Sequence, residues 1–288
     1  MTLEKIYVTR HGFRSSWTVD HVTGTYTASI PSPTGIPADP ALTSHGVEQS
    51  KELARHLMQL NPPIEAVYSS PYYRCLQTIT PFVELQRQRQ STPSFGVEGH
   101  TVTTIRPEAG LSEWFGSAPF EHPQPAAPEI LKAMFPAYDD DYVSAVTPLR
   151  NGETLTQLYS RVSRGLQAII ARCDAEDRRS VVLCTHAAVV IVIGRILTGR
   201  VPDSPDVQDF RAFTCGLSVY SRTPTNLDET TVPDANNQSL ATIGQWDCEL
   251  NSDCSFLACG EERGWAFVGD EAFPGTGSMS QVSGDPKL

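Results

Sequence analysis

The segment KIYVTRHGFR, residues 5–14, runs from an apolar stretch straight into Arg10, His11 and Gly12, with a further arginine at Arg14. The β-branched and aromatic residues before Arg10 predict a β-strand that ends at the histidine. A histidine in this position can bind a metal ion, act as a base or attack phosphorus. The segment alone therefore leaves three kinds of site open.

The composition limits the possible partners of the chain. Its 288 residues are enough for one large domain or two small ones, and 40% of them are hydrophobic. The 22 Lys and Arg against 33 Asp and Glu give a net charge of −11. Such a surface repels nucleic acids and anionic membranes, so we expect no direct binding to either, and any anion site must be local.

The sequence also indicates a reducing compartment. No apolar run of about 18 residues predicts a transmembrane helix, and the N-terminus MTLEKIYV lacks the order of a secretory signal. The seven cysteines are an odd number without C-x-x-C spacing. We therefore expect a cytoplasmic or nuclear protein that is not secreted.

Short β-rich segments alternate with longer amphipathic ones. This alternation predicts an α/β fold, a three-layer αβα sandwich with a mainly parallel sheet. The predicted strands are 5–9, 65–70, 101–105, 180–186 and 214–222, and the predicted helices are 42–60, 72–86, 152–173 and 187–199.

The connecting and terminal regions differ in composition. Residues 18–40 and 118–150 are rich in turn-forming residues and are interpreted as a surface loop and an irregular excursion. The aromatic tail, residues 240–275, either packs on the core or docks a protein partner. We favour packing on the core, because exposing large aromatic side chains to water is costly. The predicted parts are the main domain at 1–222, a polar linker or loop at 223–239, the aromatic tail at 240–275 and a disordered end at 276–288.

Four polar residues follow different predicted strands. His11 and His186 come directly after a strand, Arg74 lies on the first turn of a helix, and Glu113 lies in a loop beyond a strand. Ligands of parallel sheets bind beyond the carboxyl ends of the strands. Each residue alone fits a structural role better, but the set of four in this order predicts a site.

The neighbouring arginines favour an anion at this site. Arginines beside the histidines disfavour a metal cation, and the sequence has no G-x-x-x-x-G-K-[ST] phosphate loop for a nucleotide. A phosphate dianion, in contrast, accepts forked guanidinium hydrogen bonds. A neutral imidazole in such a pocket is placed to attack phosphorus.

A set of ordered motifs resembles the histidine phosphatase superfamily in its phosphoglycerate mutase-like branch. The segments YVTRHGFRSSW and CSFLACGEERGW are also similar to the phosphatase-like tau subunits of the fungal RNA polymerase III transcription factor IIIC. The ordered motifs are TRHGFRSSW (9–17), ADPALTSHGVEQSKELA (38–54), YSSPYYRCLQT (68–78), GLSEWFG (110–116), GETLTQLYSRV (152–162) and LCTHAAVV (183–190).

The resemblance assigns a role to each site residue. It implies that His11 is the nucleophile that becomes phosphohistidine and that His186 stabilises the transferred phosphoryl group. It also implies that Glu113 is the general acid, whose pKa we expect to be raised by apolar neighbours. The phosphate-binding residues that it implies are Arg10, Arg14 and Arg74.

Two positions depart from the mutases of this branch. Phe13 stands where many members carry Glu or Gln, and Trp17 stands where mutases carry a phosphate-binding Asn. Both departures argue against phosphoglycerate mutase activity. The predicted function is a metal-independent phosphomonoesterase without a cofactor, acting on phosphotyrosine or a small phosphometabolite. The alternative is a scaffold subunit of a nuclear transcription complex with little or no catalysis.

Overall fold

The computed structural model describes residues 2–90, 102–223, 243 and 245–267. Six of the strands form the central sheet, and β2 and β3 pair separately as a hairpin. In chain order the strands are β1 (Lys5–Arg10), β2 (Trp17–Asp20), β3 (Thr25–Ala28), β4 (Ala66–Ser69), β5 (Arg106–Pro107), β6 (Ser180–Thr185), β7 (Leu217–Arg222) and β8 (Trp246–Asp253).

The order of the central sheet is β5-β4-β6-β1-β7-β8. The first four strands are parallel, whereas β7 pairs antiparallel with β1 and β8 pairs antiparallel with β7. The prediction of a mainly parallel sheet is confirmed. In the register of β1 and β6, Arg10 pairs with Thr185, so the residues that follow both strands leave the sheet side by side.

Helices cover both faces of the sheet, which confirms the three-layer sandwich. Two apolar clusters fill the spaces between the layers, one beneath α4 and α5 and the other beneath α1 and α2. The helices are α1 (Ser44–Leu57), α2 (Tyr73–Gln90), α3 (Pro128–Met134), α4 (Leu155–Ala175) and α5 (Ala187–Thr198).

Local sequence explains where these helices begin. The Thr43 side chain caps α1 by accepting a hydrogen bond from the Gly46 amide, and Thr154 and Gln157 form a capping box at α4. The nearly uniform apolar composition of α5 matches its position, because Ala187–Leu197 are all buried against the sheet. Among the helices of the described residues, none has the length and apolarity to cross a membrane.

The chain beyond residue 222 adds a strand to the sheet. Strand β8 pairs with β7 at the sheet edge, and Trp246 and Phe267 lie in the core beneath α4 and α5. Except for Thr223, the predicted linker 223–239 lies outside the described residues, as does the end 276–288.

Three local predictions are wrong. The predicted loop 18–40 contains most of the β2–β3 hairpin, whose short Thr-rich strands have no apolar run to mark them. In place of a strand over 101–105, the sheet edge is formed by β5, where Pro107 is tolerated because an edge strand needs fewer amide donors. The excursion 118–150 includes the short helix α3, which begins at a proline.

Candidate active site

The two histidines meet because their strands are adjacent and in register. His11 follows β1 and His186 follows β6, and their ring centroids lie 5.4 Å apart. Both side chains are buried. The sequence pattern of a histidine after each strand therefore describes one site.

The surroundings of His11 fix which of its nitrogens is available. Its Nδ1 lies 2.8 Å from the Gly12 carbonyl oxygen, which only accepts hydrogen bonds. The proton must therefore be on Nδ1, and Nε2 keeps its lone pair. This is the tautomer that a nucleophile needs.

Two glycines of the motifs permit the close packing around this loop. A Cβ on Gly12 would lie 2.9 Å from the Gly46 carbonyl oxygen, and a Cβ on Gly46 would lie 2.0 Å from the Phe13 carbonyl oxygen. The start of α1 therefore packs directly on the loop after His11. The motifs R-H-G and L-T-x-x-G are two sides of this single contact.

Arg74 is the central cation of the site and is fully buried. Its Nη1 donates to the Ala38 carbonyl and to Asp39 Oδ1, both at 3.0 Å. Its Nη2 lies 3.1 Å from Glu113 Oε2 and 3.2 Å from His186 Nδ1. The guanidinium is thus held rigidly between two carboxylates and faces the second histidine.

Arg10 and Arg14 complete a buried cationic wall. Arg10 Nη1 donates to the Ala212 carbonyl at 2.9 Å and to the Arg263 carbonyl, and Arg14 Nη1 donates to the Ser15 carbonyl at 2.9 Å. Burial, together with repulsion from Arg74, lowers the pKa of Arg10 to about 10 and that of Arg14 to about 9. These groups remain cations at neutral pH.

The same wall keeps His11 neutral. Burial is the largest cause that lowers its pKa well below the ordinary 6.5, and repulsion from Arg74 and Arg10 adds to it. A lowered pKa of His11 is what the flanking arginines in the sequence predict. Nε2 of His11 is consequently unprotonated at neutral pH.

Glu113 and His186 form a buried ion pair. His186 Nδ1 lies 3.2 Å from Glu113 Oε2, and its Nε2 lies 2.8 Å from Ser70 Oγ. Burial lowers the pKa of His186, but the Cys75 sulfur and the Glu113 carboxylate outweigh it and raise the pKa above the ordinary value. The proton of this pair resides on His186.

The predicted raised pKa of Glu113 is wrong for this structure. Burial does raise it, but attraction to His186, Arg74 and Arg14 outweighs burial and lowers the pKa below the ordinary range. The apolar neighbours Trp114 and Phe115 were the basis of the prediction. The pKa of Glu113 is instead set by charged residues that are distant in sequence.

The site is a poor place for a metal ion. His11, Glu113 and His186 do bring ligand atoms within 4.8 Å of one another. Arg74 Nη2, however, contacts both Glu113 and His186, so a cation there would face a buried guanidinium. An oxyanion, in contrast, would find buried donors, since Nε of Arg10 and of Arg74 have no hydrogen-bond partner within the described residues.

A pocket opens beside Glu113. Among the described residues that form its walls there is no Lys or Arg, and the acidic side chains are Glu113 and Glu153. His122 stacks on Phe115 with ring centroids 5.1 Å apart, and burial lowers the pKa of His122, so this imidazole is neutral at pH 7. The lining residues include Tyr72, Glu113, Phe115, His122, Leu149 and Glu153.

The C-terminal segment, residues 254–267, reaches the site from the other side through Glu261–Gly264. The Arg263 carbonyl accepts from Arg10, and the Arg263 guanidinium lies 4.3 Å from the centroid of the Phe13 ring. Glu262 Oε2 accepts from Gln49 Nε2 at 2.7 Å, and Gln49 Oε1 accepts from the Phe13 amide at 2.9 Å. The segment therefore contacts the chain on both sides of His11.

Replacing Glu262 with alanine is expected to lower kcat/KM for phosphomonoesters by up to about 100-fold. The reason is that a displaced segment would release the Arg263 carbonyl from Arg10 and misplace a guanidinium that is predicted to bind phosphate. Glu261→Ala is the matched control, since exposed Glu261 pairs with Arg211 at the surface. The measurement is nitrophenyl phosphate hydrolysis together with the melting temperature. Equal activity of both variants would contradict a positioning role for the segment.

The structure brings together all six site residues named from the sequence, and it adds others. Asp39 is fully buried and binds Arg74, while its Oδ2 accepts from the Tyr73 amide at 2.8 Å at the start of α2. Gln49 and Glu262 also support the site. No local pattern marks these residues, although Asp39 lies three residues before the L-T-x-x-G segment.

The chain belongs to the histidine phosphatase superfamily (branch 1), whose family model matches residues 6–232. Among curated proteins, it is similar to the transcription factor tau 55 kDa subunit of Saccharomyces cerevisiae, with 32% identity over 282 residues. That match covers 93% of this chain but 59% of the relative. It is also 27% identical over 226 residues to the ecdysteroid-phosphate phosphatase of Drosophila melanogaster, covering 69% of this chain and 28% of that protein.

Solved structures show the same fold. The ecdysone phosphate phosphatase from Bombix mori in complex with tungstate matches with a TM-score of 0.53 and 22% identity, covering 75% of this chain and 88% of that one. The phosphoglycerate mutase from Bacillus anthracis matches with a TM-score of 0.50 and 16% identity, covering 88% and 95%. The fold expected from the motifs is thus confirmed.

Proposed function

We propose that this chain is a metal-independent phosphomonoesterase that works through a phosphohistidine at His11. The observation that carries the proposal is the hydrogen bond from His11 Nδ1 to the Gly12 carbonyl, which leaves the Nε2 lone pair free. Around this imidazole lie the buried guanidiniums of Arg10, Arg14 and Arg74. Phosphoryl transfer depends mainly on positioning and charge stabilisation. These arginines can supply the positive charge that metal ions supply in many other phosphoryl-transfer enzymes.

The proposed reaction has two displacements. In the first, His11 Nε2 forms a bond to phosphorus, the bond to the ester oxygen breaks, and the leaving oxygen takes a proton from Glu113. In the second, a water oxygen forms a bond to phosphorus while the Glu113 carboxylate takes a proton from the water. The bond between phosphorus and His11 Nε2 breaks, and inorganic phosphate leaves. His186 stabilises the charge of the phosphoryl group and regains its proton from Glu113 at the end of the cycle.

Glu113 must hold a proton for the first step. A bound phosphate dianion would draw the positive charges of Arg74 and His186 toward itself and add a negative charge near the carboxylate. Both effects raise the pKa of Glu113. The proton that rests on His186 Nδ1, 3.2 Å away, can then pass to Glu113 Oε2.

The pocket beside Glu113 supports an uncharged aromatic or apolar leaving group. Its walls combine Tyr72, Phe115 and His122 with the carboxylates of Glu113 and Glu153. Aromatic walls suit a flat ring, and the described residues that line the pocket include no Lys or Arg to bind an anionic leaving group. Aryl phosphates such as phosphotyrosine are therefore favoured over carboxylated metabolites.

A phosphatase screen tests this proposal. We expect hydrolysis of nitrophenyl phosphate and phosphotyrosine that survives exhaustive dialysis against a chelator, and weaker hydrolysis of phosphoglycerate. Vanadate should inhibit by occupying the place of five-coordinate phosphorus. Activity that disappears with chelator and returns with magnesium or zinc would refute metal independence.

A scaffold role is the second candidate, favoured by the similarity to the tau 55 kDa subunit along 93% of the chain. In this role the protein would be nuclear and would bind a protein partner through its C-terminal region. A pull-down with wild type and His11→Ala tests it. A scaffold keeps its partners in both, whereas absence of any stable partner for the wild type would contradict the role.

A further inference from the structure

A group of potential metal ligands lies outside the catalytic pocket. His45 belongs to the first turn of α1, while Cys259 and Glu262 belong to the C-terminal segment. One ligand atom from each residue lies within 4.8 Å of the others. His45 and Glu262 are partly exposed and Cys259 is exposed, so an ion can reach the group from solvent.

We propose that His45, Cys259 and Glu262 bind a divalent cation of the zinc class and thereby fasten the C-terminal segment to α1. Imidazole nitrogen, thiolate sulfur and carboxylate oxygen are the three ligand types that Zn²⁺ takes in proteins. Three protein ligands leave the fourth tetrahedral position to water. A thiolate and a carboxylate balance the charge of the ion.

Two of the ligands are already oriented. His45 Nε2 lies 2.5 Å from Glu262 Oε2, and Gln49 Nε2 donates to the same oxygen at 2.7 Å. A hydrogen bond from outside the ligand set fixes a ligating carboxylate and strengthens a metal site. The amide of buried Gln49 supplies such a bond without adding charge.

Cys259 is distinct among the seven cysteines. All seven lie within the described residues, and Cys259 is the exposed one among them. The remaining described chain offers its sulfur no hydrogen bond, although the sulfur faces an imidazole–carboxylate pair. Binding of the ion would release the thiol proton and bring this sulfur into the group.

The surrounding charges are compatible with a cation. Glu52, on the same helix, accepts from the Ala258 amide at 3.2 Å and adds negative charge nearby. The positive Arg211 is paired with Glu261, and the Arg263 guanidinium stacks on Phe13. This setting differs from the catalytic pocket, where Arg74 lies between the potential ligands.

The position of His45, Cys259 and Glu262 determines what a bound ion would do to the structure. Glu262 directly precedes Arg263, whose carbonyl oxygen accepts from Arg10. Side chains on one stripe of α1 hold the same segment, because His56 stacks on Phe256 with ring centroids 4.2 Å apart. A bound ion would add a further link between α1 and the C-terminal segment, at the end of α1 nearest the active site. This link would slow detachment of the segment from α1.

Cobalt substitution tests the proposal without any measurement of activity. Titration of chelator-treated protein with Co²⁺ is expected to give a thiolate-to-cobalt charge-transfer band that saturates at one equivalent. The band should disappear in Cys259→Ser and weaken strongly in His45→Ala. Zn²⁺ should displace the cobalt, raise the melting temperature of the wild type and leave that of Cys259→Ser unchanged.

Two controls separate this site from others. Cys248→Ser removes a half-buried thiol on β8 and should leave the band intact. His11→Ala removes a potential ligand of the catalytic pocket and should also leave it intact. A wild type without a charge-transfer band, or a band that survives Cys259→Ser, would overturn the proposal.

Discussion

Replacing His11 with alanine is expected to lower the rate of phosphomonoester hydrolysis on the order of 10⁴- to 10⁶-fold, as removal of a catalytic nucleophile does elsewhere. The reason is direct, because His11 Nε2 is the atom proposed to bond to phosphorus. The arginine wall would remain in the variant and would still bind phosphate. The measurement is kcat with nitrophenyl phosphate, alongside the affinity for vanadate.

The control for this variant is His21→Ala. His21 is exposed at the turn of the β2–β3 hairpin, and its replacement should leave the rate unchanged. Circular dichroism and the melting temperature of His11→Ala should show a folded protein. A folded His11→Ala protein that kept wild-type activity would remove His11 from the reaction.

The pH dependence follows from the two histidines. His11 must be neutral, and because its pKa lies well below 6.5, activity should be lost only when the pH falls into that lower range. The proton on His186 must be present, and because its pKa is raised above 6.5, activity should fall as the pH rises through that higher value. A bell-shaped profile of kcat/KM is expected.

Changing Glu113 to glutamine is expected to slow hydrolysis of alkyl phosphates by about 10²- to 10⁴-fold, the usual range for a lost general acid. Nitrophenyl phosphate should be affected much less, because nitrophenolate leaves without a proton. Glutamine keeps the shape of the side chain and can still accept a hydrogen bond from Arg74. The measurement is kcat/KM for both substrates and the alkaline limb of the profile, which should flatten.

Glu121→Gln is the matched control, since Glu121 is an exposed glutamate that pairs with Arg150. Glu121→Gln should leave the ratio of kcat/KM between alkyl phosphates and nitrophenyl phosphate unchanged. Equal losses for both substrates in Glu113→Gln would mean that Glu113 positions phosphate or supports its neighbours. His186, which holds the proton in the resting structure, would then be the next general acid to test.

Local sequence is sufficient to predict four of the central strands (β1, β4, β6 and β7), the helices α1, α2, α4 and α5, and the edge at which the site lies. Antiparallel strands would place the two histidines at opposite edges of the sheet. Each histidine instead follows its own apolar strand, and because β1 and β6 are parallel, both strands end at the same edge. The nearly uniformly apolar α5 and the amphipathic α4 are also predicted by local sequence. Periodicity and capping act within a few residues, where sequence is most informative.

Contacts between distant residues explain what could not be predicted. Asp39 reaches Arg74 across the fold, and Glu262 reaches Gln49 across more than two hundred residues. These pairs have no periodic pattern and depend on the finished packing. The lowered pKa of Glu113 differs from the predicted raised pKa for the same reason. Trp114 and Phe115 are near Glu113 in sequence, whereas Arg74 and His186 are near it only in space.

Trapping of the intermediate tests the central proposal most directly. Wild-type protein mixed with nitrophenyl phosphate would be quenched in alkali within its first turnover, because phosphohistidine is labile to acid, and then digested for mass spectrometry. We predict one phosphoryl group on the peptide that contains His11, absent after an acid quench and absent in His11→Ala. Phosphate on another residue, or steady turnover with no phosphorylated peptide, would contradict the proposed mechanism.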